Sequence, residues 1–265
     1  MKTIELATVL RGASEFKQNN VNVTFRGQVL TSSDQTRQAI IKDLDLIQLC
    51  NELFAHSLAR EFGLPIPDSY LGLVRPGVLS VSKAPKTKDG SHLVFVSVDM
   101  KVPNVTYRLA GIDAKGRKIL LDQISNWIDL GKLYAFDAWI ANVDRHHGNL
   151  LFGGNNEFWL IDHGHCFTGP NWQANQLIPD AYYSNLLSQW VTKHLTLEQK
   201  KRHVSKVNKF GSDIESFDAS KSLKNSRINE LLPVQCVSAL KVFLNERNAK
   251  VPDHAMKALG LPRLI

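Results

Sequence analysis

The sequence predicts an α+β fold of two lobes, a small strand-rich one first and a larger, mainly helical one after it. Three observations carry this. Roughly the first hundred residues set short β-branched runs around one long amphipathic stretch. The composition changes at Val102-Pro103-Asn104, and from Leu121 onward apolar residues recur at helical spacing with one interruption. The expected division is residues 1–100 and 101–265.

Val21 to Leu30 (VNVTFRGQVL) is β-branched and partly alternating, and Gln38 to Lys42 (QAIIK) reads as a short strand ending on a charge. Leu46 to Phe62 places Leu46, Leu49, Leu53, Phe54, Leu58 and Phe62 on one helical face. Gly63 stands where a helix C′ glycine belongs, and Pro65 and Pro67 keep the helix from resuming. Tyr70 to Val74 and Leu93 to Val98 read as strands, so the expected small lobe is strands wrapped around one helix. Lys83 to Ser91 is a polar loop. Trp127 to Asn142 predicts an amphipathic helix feeding the polar loop VDRHHGN. Leu150 to Phe152 and Phe158 to Asp162 flank Gly153-Gly154-Asn155-Asn156 as a hairpin. Leu231 to Asn248 predicts one of several late amphipathic helices.

The bulk numbers exclude several classes. At 43% hydrophobic and 22% charged over 265 residues, the chain is neither disordered nor fibrous. No apolar run approaches the roughly 18–20 residues of a membrane helix, and Met1 to Leu6 has no secretory apolar region. Three scattered cysteines, Cys50, Cys166 and Cys236, suit a reducing, cytoplasmic setting. The net charge of +7 favours anionic partners without choosing among nucleotide, nucleic acid, lipid headgroup or acidic protein. The clusters at Lys200-Lys201-Arg202 and at Lys221, Lys224 and Arg227 read as solvated helical faces.

The informative stretch is Asp137 to Phe167, DAWIANVDRHHGNLLFGGNNEFWLIDHGHCF. A helix delivers a loop bearing Asp144. Asn149 lies where the chain enters the hairpin, and Asp162 ends the returning strand, so folding the hairpin lets Asn149 and Asp162 converge. A carboxylate and an amide oxygen are hard ligands suited to Mg²⁺. Asp144, on the same loop, is free to accept a hydroxyl proton. Upstream, Lys42 ends a strand and Glu52 follows on the next helix, the layout in which a lysine reaches nucleotide phosphates and a glutamate holds it. Arg11-Gly12-Ala13-Ser14 is the candidate phosphate-covering turn.

These segments resemble the HipA-like kinases, which belong to a wider group including the phosphatidylinositol 3- and 4-kinases. The resemblance rests on D-x-W-I-x-N-x-D-R-H-x-x-N-L-L-F with L-I-D-H-G-H-x-F, and on I-I-K-D with N-E-L-F-A-H-S-L-A-R-E-F-G-L-P-I-P. It implies a bilobal protein-kinase-like fold with ATP between the lobes, Lys42 on the phosphates, Asp144 as base, and Asn149 and Asp162 on magnesium. It also implies transfer to serine or threonine of proteins. The chain resembles the short branch, without the extra N-terminal subdomain of the full-length toxins, so no toxin–antitoxin role or antitoxin-like partner carries over. Ser14 is the candidate for a regulatory serine in the turn.

Other residues admit plainer readings. Asp137, on an apolar helix face, is expected to hydrogen-bond the loop backbone near Arg145 and His146. His146 braces the catalytic loop. His146, His147, His163, His165 and Cys166 suggest zinc, but at a strand end His163 and His165 would face away from Cys166, so no closed site is expected. The five tryptophans read as packing. The adenine is expected against the connector with Phe95 or Ile161. Two rivals remain open: a lipid or small-molecule kinase of the same fold, and a non-catalytic module on a kinase fold recruited to nucleic acid by its charge.

Overall fold

The computed structural model describes residues 3–16, 22–154, 156–184 and 186–261; the expected strand start at Val21 and Asn155 of the expected hairpin turn lie outside them. The N-terminal elements are β1 (Glu5–Val9), β2 (Ser14–Glu15), β3 (Thr24–Thr31), β4 (Thr36–Lys42), α1 (Leu46–Glu61), β5 (Ser69–Val74) and β6 (His92–Val98). The strand order is β1-β5-β6-β4-β3, and β1 also pairs with β3, so five strands close into a barrel. Only β1–β5 is parallel; β2 runs on along β3 beyond a turn at Arg11-Gly12, with Gly12 at φ +95°.

Alternation decides what the barrel holds. Ala7, Val9, Val29, Ala39, Ile41, Val94 and Val96 point inward and form a core of their own. At Gly72 the interior leaves no room, since a Cβ would lie 2.5 Å from Val96 Cγ2. The expectation of strands wrapped around the helix is corrected here. The strands close on themselves, and α1 packs outside the barrel within the larger core that contains the later helices.

Helix α1 begins where Asp45 Oδ1 accepts from the Gln48 amide at 3.0 Å, and Gly63 follows it at φ +60°. Its residues from Gln48 to Ala59 are all buried, against Leu71 and Phe95 of the barrel's outer face on one side and the helical region on the other. Because it is covered all round, its polar residues Asn51, Glu52 and His56 are internal.

The remaining elements are α2 (Val105–Ala110), α3 (Ala114–Asn126), α4 (Leu130–Trp139), β7 (Leu150–Gly154), β8 (Glu157–Leu160), α5 (Leu186–Val191), α6 (Leu197–Glu215), α7 (Ala219–Asn225), α8 (Ile228–Leu231), α9 (Val234–Arg247) and α10 (Val251–Ala258). The stretch expected as one helix from Trp127 to Asn142 is shorter, because Trp127 caps α3 and α4 starts at Leu130. Helix α4 is buried almost throughout, and α6 crosses it at Gly131, where a Cβ would sit 2.3 Å from the His203 carbonyl oxygen. Arg247 closes the C-terminus of α4. Its buried guanidinium donates to the carbonyls of Ala138, Trp139, Pro179 and Ala181, placing a cation against unpaired helix carbonyls. The barrel is also stitched to the helices: Ile4 N–H donates to Asn225 O at 2.8 Å, and Arg227 Nε donates to Ile4 O at 2.9 Å. Among the described residues, no helix is long and apolar enough to cross a membrane.

Candidate active site

Lys42 ends β4 on the outer face of the barrel, opposite Phe95 of β6. From there Lys42 Nζ reaches Glu52 Oε1 of α1 at 2.5 Å and Asp162 Oδ1 at 3.0 Å. The two pairs differ in setting. Glu52 is fully buried, whereas the Asp162 side chain is half-exposed, so solvent screens the second pair. Burial opposes the Lys42 ammonium, but Asp162 and Glu52 together outweigh it and raise its pKa. For Glu52, burial dominates and raises the carboxyl. Its second oxygen accepts the His163 amide at 2.9 Å. Asp162, although enclosure pushes it up, is held below the usual carboxylate range by Lys42.

The hairpin brings the other residues to this place. β7 and β8 pair Leu150 with Leu160, and the Ile161 amide then donates to Asn149 O at 3.1 Å, so the backbones at 149 and 161 are adjacent. The returning strand stops at Leu160, earlier than expected, and Asp162 takes φ +61°. That left-handed turn takes Asp162 out of the strand pleat. Asn149 Nδ2 donates to Asp144 O at 2.9 Å, which leaves its Oδ1 as the available ligand atom. The Asp144 carboxylate is 41% exposed and open to solvent, with His165 Nδ1 at 3.9 Å. His146 Nδ1 accepts the Gly148 amide at 2.9 Å and so shapes the turn into Asn149. Ser14 is exposed on β2, and its register with Arg26 and Ile40 puts it on the same outer barrel face as Lys42 with β3 between. Among the described residues no hydrogen bond or ion pair joins it to the cluster.

One guanidinium holds this arrangement. Arg145 is completely buried and pairs with Asp137 Oδ2 at 3.0 Å. It also donates to Asn149 O at 3.0 Å, to Ile161 O at 2.9 Å and into His163 Nε2 at 2.8 Å. The reading of Asp137 is corrected accordingly. Its carboxylate meets the side chains of Arg145 and Asn142, the nearer and stronger donors, while the loop backbone is held by Arg145.

Asn51, beside Glu52, is a residue the sequence did not single out. Its Nδ2 donates to the carbonyls of Gly164 (2.8 Å), Cys166 (3.1 Å) and Gly169 (3.1 Å), and its Oδ1 accepts Trp172 Nε1 at 2.8 Å. It thereby fastens the segment after Asp162 to α1. Asn51→Ala strands these buried groups, and urea unfolding is expected to show a loss of about 2–3 kcal/mol. Faster proteolytic cleavage between residues 163 and 172 is expected to accompany it.

Glu52, His56 and His163 bring their ligand atoms within 4.8 Å of one another. The hydrogen bonding argues against a metal there. Burial keeps both histidines neutral, and Arg145 donates into His163 Nε2, so the single ring proton sits on His163 Nδ1. That nitrogen, 3.8 Å from Glu52 Oε2, then has no lone pair for an ion. Cys166, from the candidate zinc group, is buried with its thiol pushed up by that burial. Phe95 lies under Lys42 and edge-on to His56, so its ring is covered, while Ile161 stays partly open.

No curated protein matches the sequence. A family model described as HipA-like kinase matches residues 39–216, a span running from β4 through the Lys42–Glu52–Asp162 cluster to the end of α6. That match covers well over half of the chain, which therefore belongs to the HipA-like kinase family.

Proposed function

We propose that the chain is an ATP- and magnesium-dependent kinase that transfers the γ-phosphoryl group to serine or threonine of a protein. The reading places two lobes, 1–100 and 101–265, on a protein-kinase-like plan with the nucleotide between them. The observation that carries it is Lys42 Nζ held between Glu52 and Asp162, the latter 120 residues away in sequence, at the mouth of the loop bearing Asp144. Family membership supplies the phosphotransferase class, and the cluster supplies the residues.

Each side chain has a defined task. Glu52, anchored by the His163 amide, aims Lys42 at the nucleotide phosphates, where its charge offsets charge developing in transfer. Asp144 accepts the proton of the attacking hydroxyl. Its exposure suits that contact. Asn149 Oδ1 and the Asp162 carboxylate form a hard-oxygen donor pair and would hold Mg²⁺, which supplies charge neutralisation at the phosphates. His146 acts on this chemistry by shaping the turn at Gly148, and Ser14, exposed on the barrel face that also carries Lys42, is the candidate for a phosphorylated regulatory serine.

The test is a thermal-shift titration with ATP, with and without Mg²⁺, on wild type and Asp162→Ala. At a ligand concentration near a hundred times Kd, binding adds about 2.7 kcal/mol, enough for a rise of several degrees. The rise is expected to require magnesium and to vanish in the variant. No rise at millimolar ATP rejects the reading.

A further inference from the structure

A concavity of about 790 Å³ lies between α2, α3, α5 and the loop that carries Asp144. Leu109, Ala110 and Leu121 supply its aliphatic lining, and Arg117, Lys118 and His194 its basic groups. Arg117 and Lys118 are exposed, and among the described residues neither has a carboxylate within ion-pair distance. Two cations side by side above apolar carbons make a surface complementary to a ligand that is both anionic and partly apolar.

The pocket is joined to the catalytic loop through two walls. His147, one residue beyond His146, accepts or donates a hydrogen bond with Thr106 Oγ1 at 3.0 Å and packs edge-on against Trp190 at 5.3 Å. Helix α5, which carries Trp190, is bonded to the loop directly, since the Leu187 amide donates to Arg145 O at 2.8 Å. A ligand in the pocket therefore touches the elements that set Asp144 and Asn149.

The geometry points to a docking site for an acidic segment of the acceptor protein, an inference that rests on the kinase reading and names its substrate class. An apolar side chain of the segment sits on Leu109, Ala110 and Leu121, its carboxylates meet Arg117, Lys118 and His194, and Thr106 and Asp122 serve its backbone. A nucleic acid fits less well, because the edge contact from His147 engages the Trp190 ring on which a base would stack, whereas the Asp122 carboxylate can accept the backbone N–H groups of a peptide.

The probe is a short synthetic glutamate-rich peptide with one central leucine, titrated into the full chain while tryptophan fluorescence is read. Trp190→Phe identifies the responding ring. A saturable change is expected in wild type, weakened at least about tenfold in Arg117→Glu/Lys118→Glu. The reversed variant is expected to gain affinity for the lysine-rich counterpart peptide and to keep the magnesium-dependent ATP shift. Peptide binding without the ATP shift in wild type overturns the kinase reading alone. The ATP shift without peptide binding, or binding of a single-stranded oligonucleotide in the peptide's place, overturns the docking site.

Discussion

Arg145→Ala is expected to cost about 3–5 kcal/mol of folding stability, the range for removing one partner of a buried ion pair. The cause is what remains. Asp137 is 1% exposed, and Arg145 at 0% is its only cationic hydrogen-bond donor among the described residues. The carbonyls of Asn149 and Ile161 also lose their donor, so the hairpin that presents Asp162 loosens at its base. Against a typical total of about 5–15 kcal/mol, such a loss is visible in any denaturant titration. The variant's pH dependence identifies the mechanism. Burial already pushes the Asp137 carboxyl up, and without Arg145 only the Asn142 hydrogen bond opposes that push. A carboxyl raised in the folded state binds more protons there than in the unfolded chain. Stability must then fall as pH rises from about 4, where the unfolded group ionises, through the folded pKa. Arg145→Met paired with Asp137→Leu removes both charges and is expected to recover the part of the loss due to the unpaired carboxylate, with no such slope, while the Asn149 and Ile161 carbonyls stay without a donor. A single variant as stable as wild type at pH 7 would show that the pair is not what fastens the loop.

The second large effect is on chemistry. Asp144→Asn keeps the size of the side chain and the backbone contacts, including the Asn149 bond to Asp144 O and the Asn142 bond to the Asp144 amide. Only the proton acceptor is removed. Phosphoryl transfer is expected to fall by about 10²–10⁴-fold, the usual worth of a positioned general base. The magnesium-dependent thermal shift with ATP is expected to stay. The contrast with Asp162→Ala, which loses the shift itself, separates the base from the metal ligand. Equal loss of nucleotide binding in both variants would sink that division of roles.

That the candidate site residues come together could be read from the chain because the site's parts are local. Asp144, Asn149 and Asp162 lie within one loop and hairpin, and a two-strand turn leaves few ways to arrange them. Lys42 and Glu52 flank a strand-to-helix step whose apolar spacing is unambiguous. The barrel was not legible. In β1, ELATV alternates weakly, with Leu6 facing out at 46% exposure, and closure depends on which distant strand it meets. Asn51 was missed because a polar residue on an apolar helix reads as a solvated position when the face covering it comes from residues more than a hundred further on. The reach of Arg145 was not legible, since nothing local shows that its partners Asp137, Ile161 and His163 will enclose it.

The stitch between Ile4 and residues 225–227 bears on how the molecule is made. The Arg227 contact spans 223 positions, so the first strand leaves the ribosome long before the helices that receive it. At about 5–20 residues per second, the Ile4 backbone waits for tens of seconds without the partners it has in the folded molecule. Such long-range closure is slow by its loop entropy. The contact of Ile4 with residues 225–227 therefore forms only after α7 has been made, and a nascent chain stalled before α7 is expected to lack it, which protease sensitivity of the first strand in such a stalled chain would show.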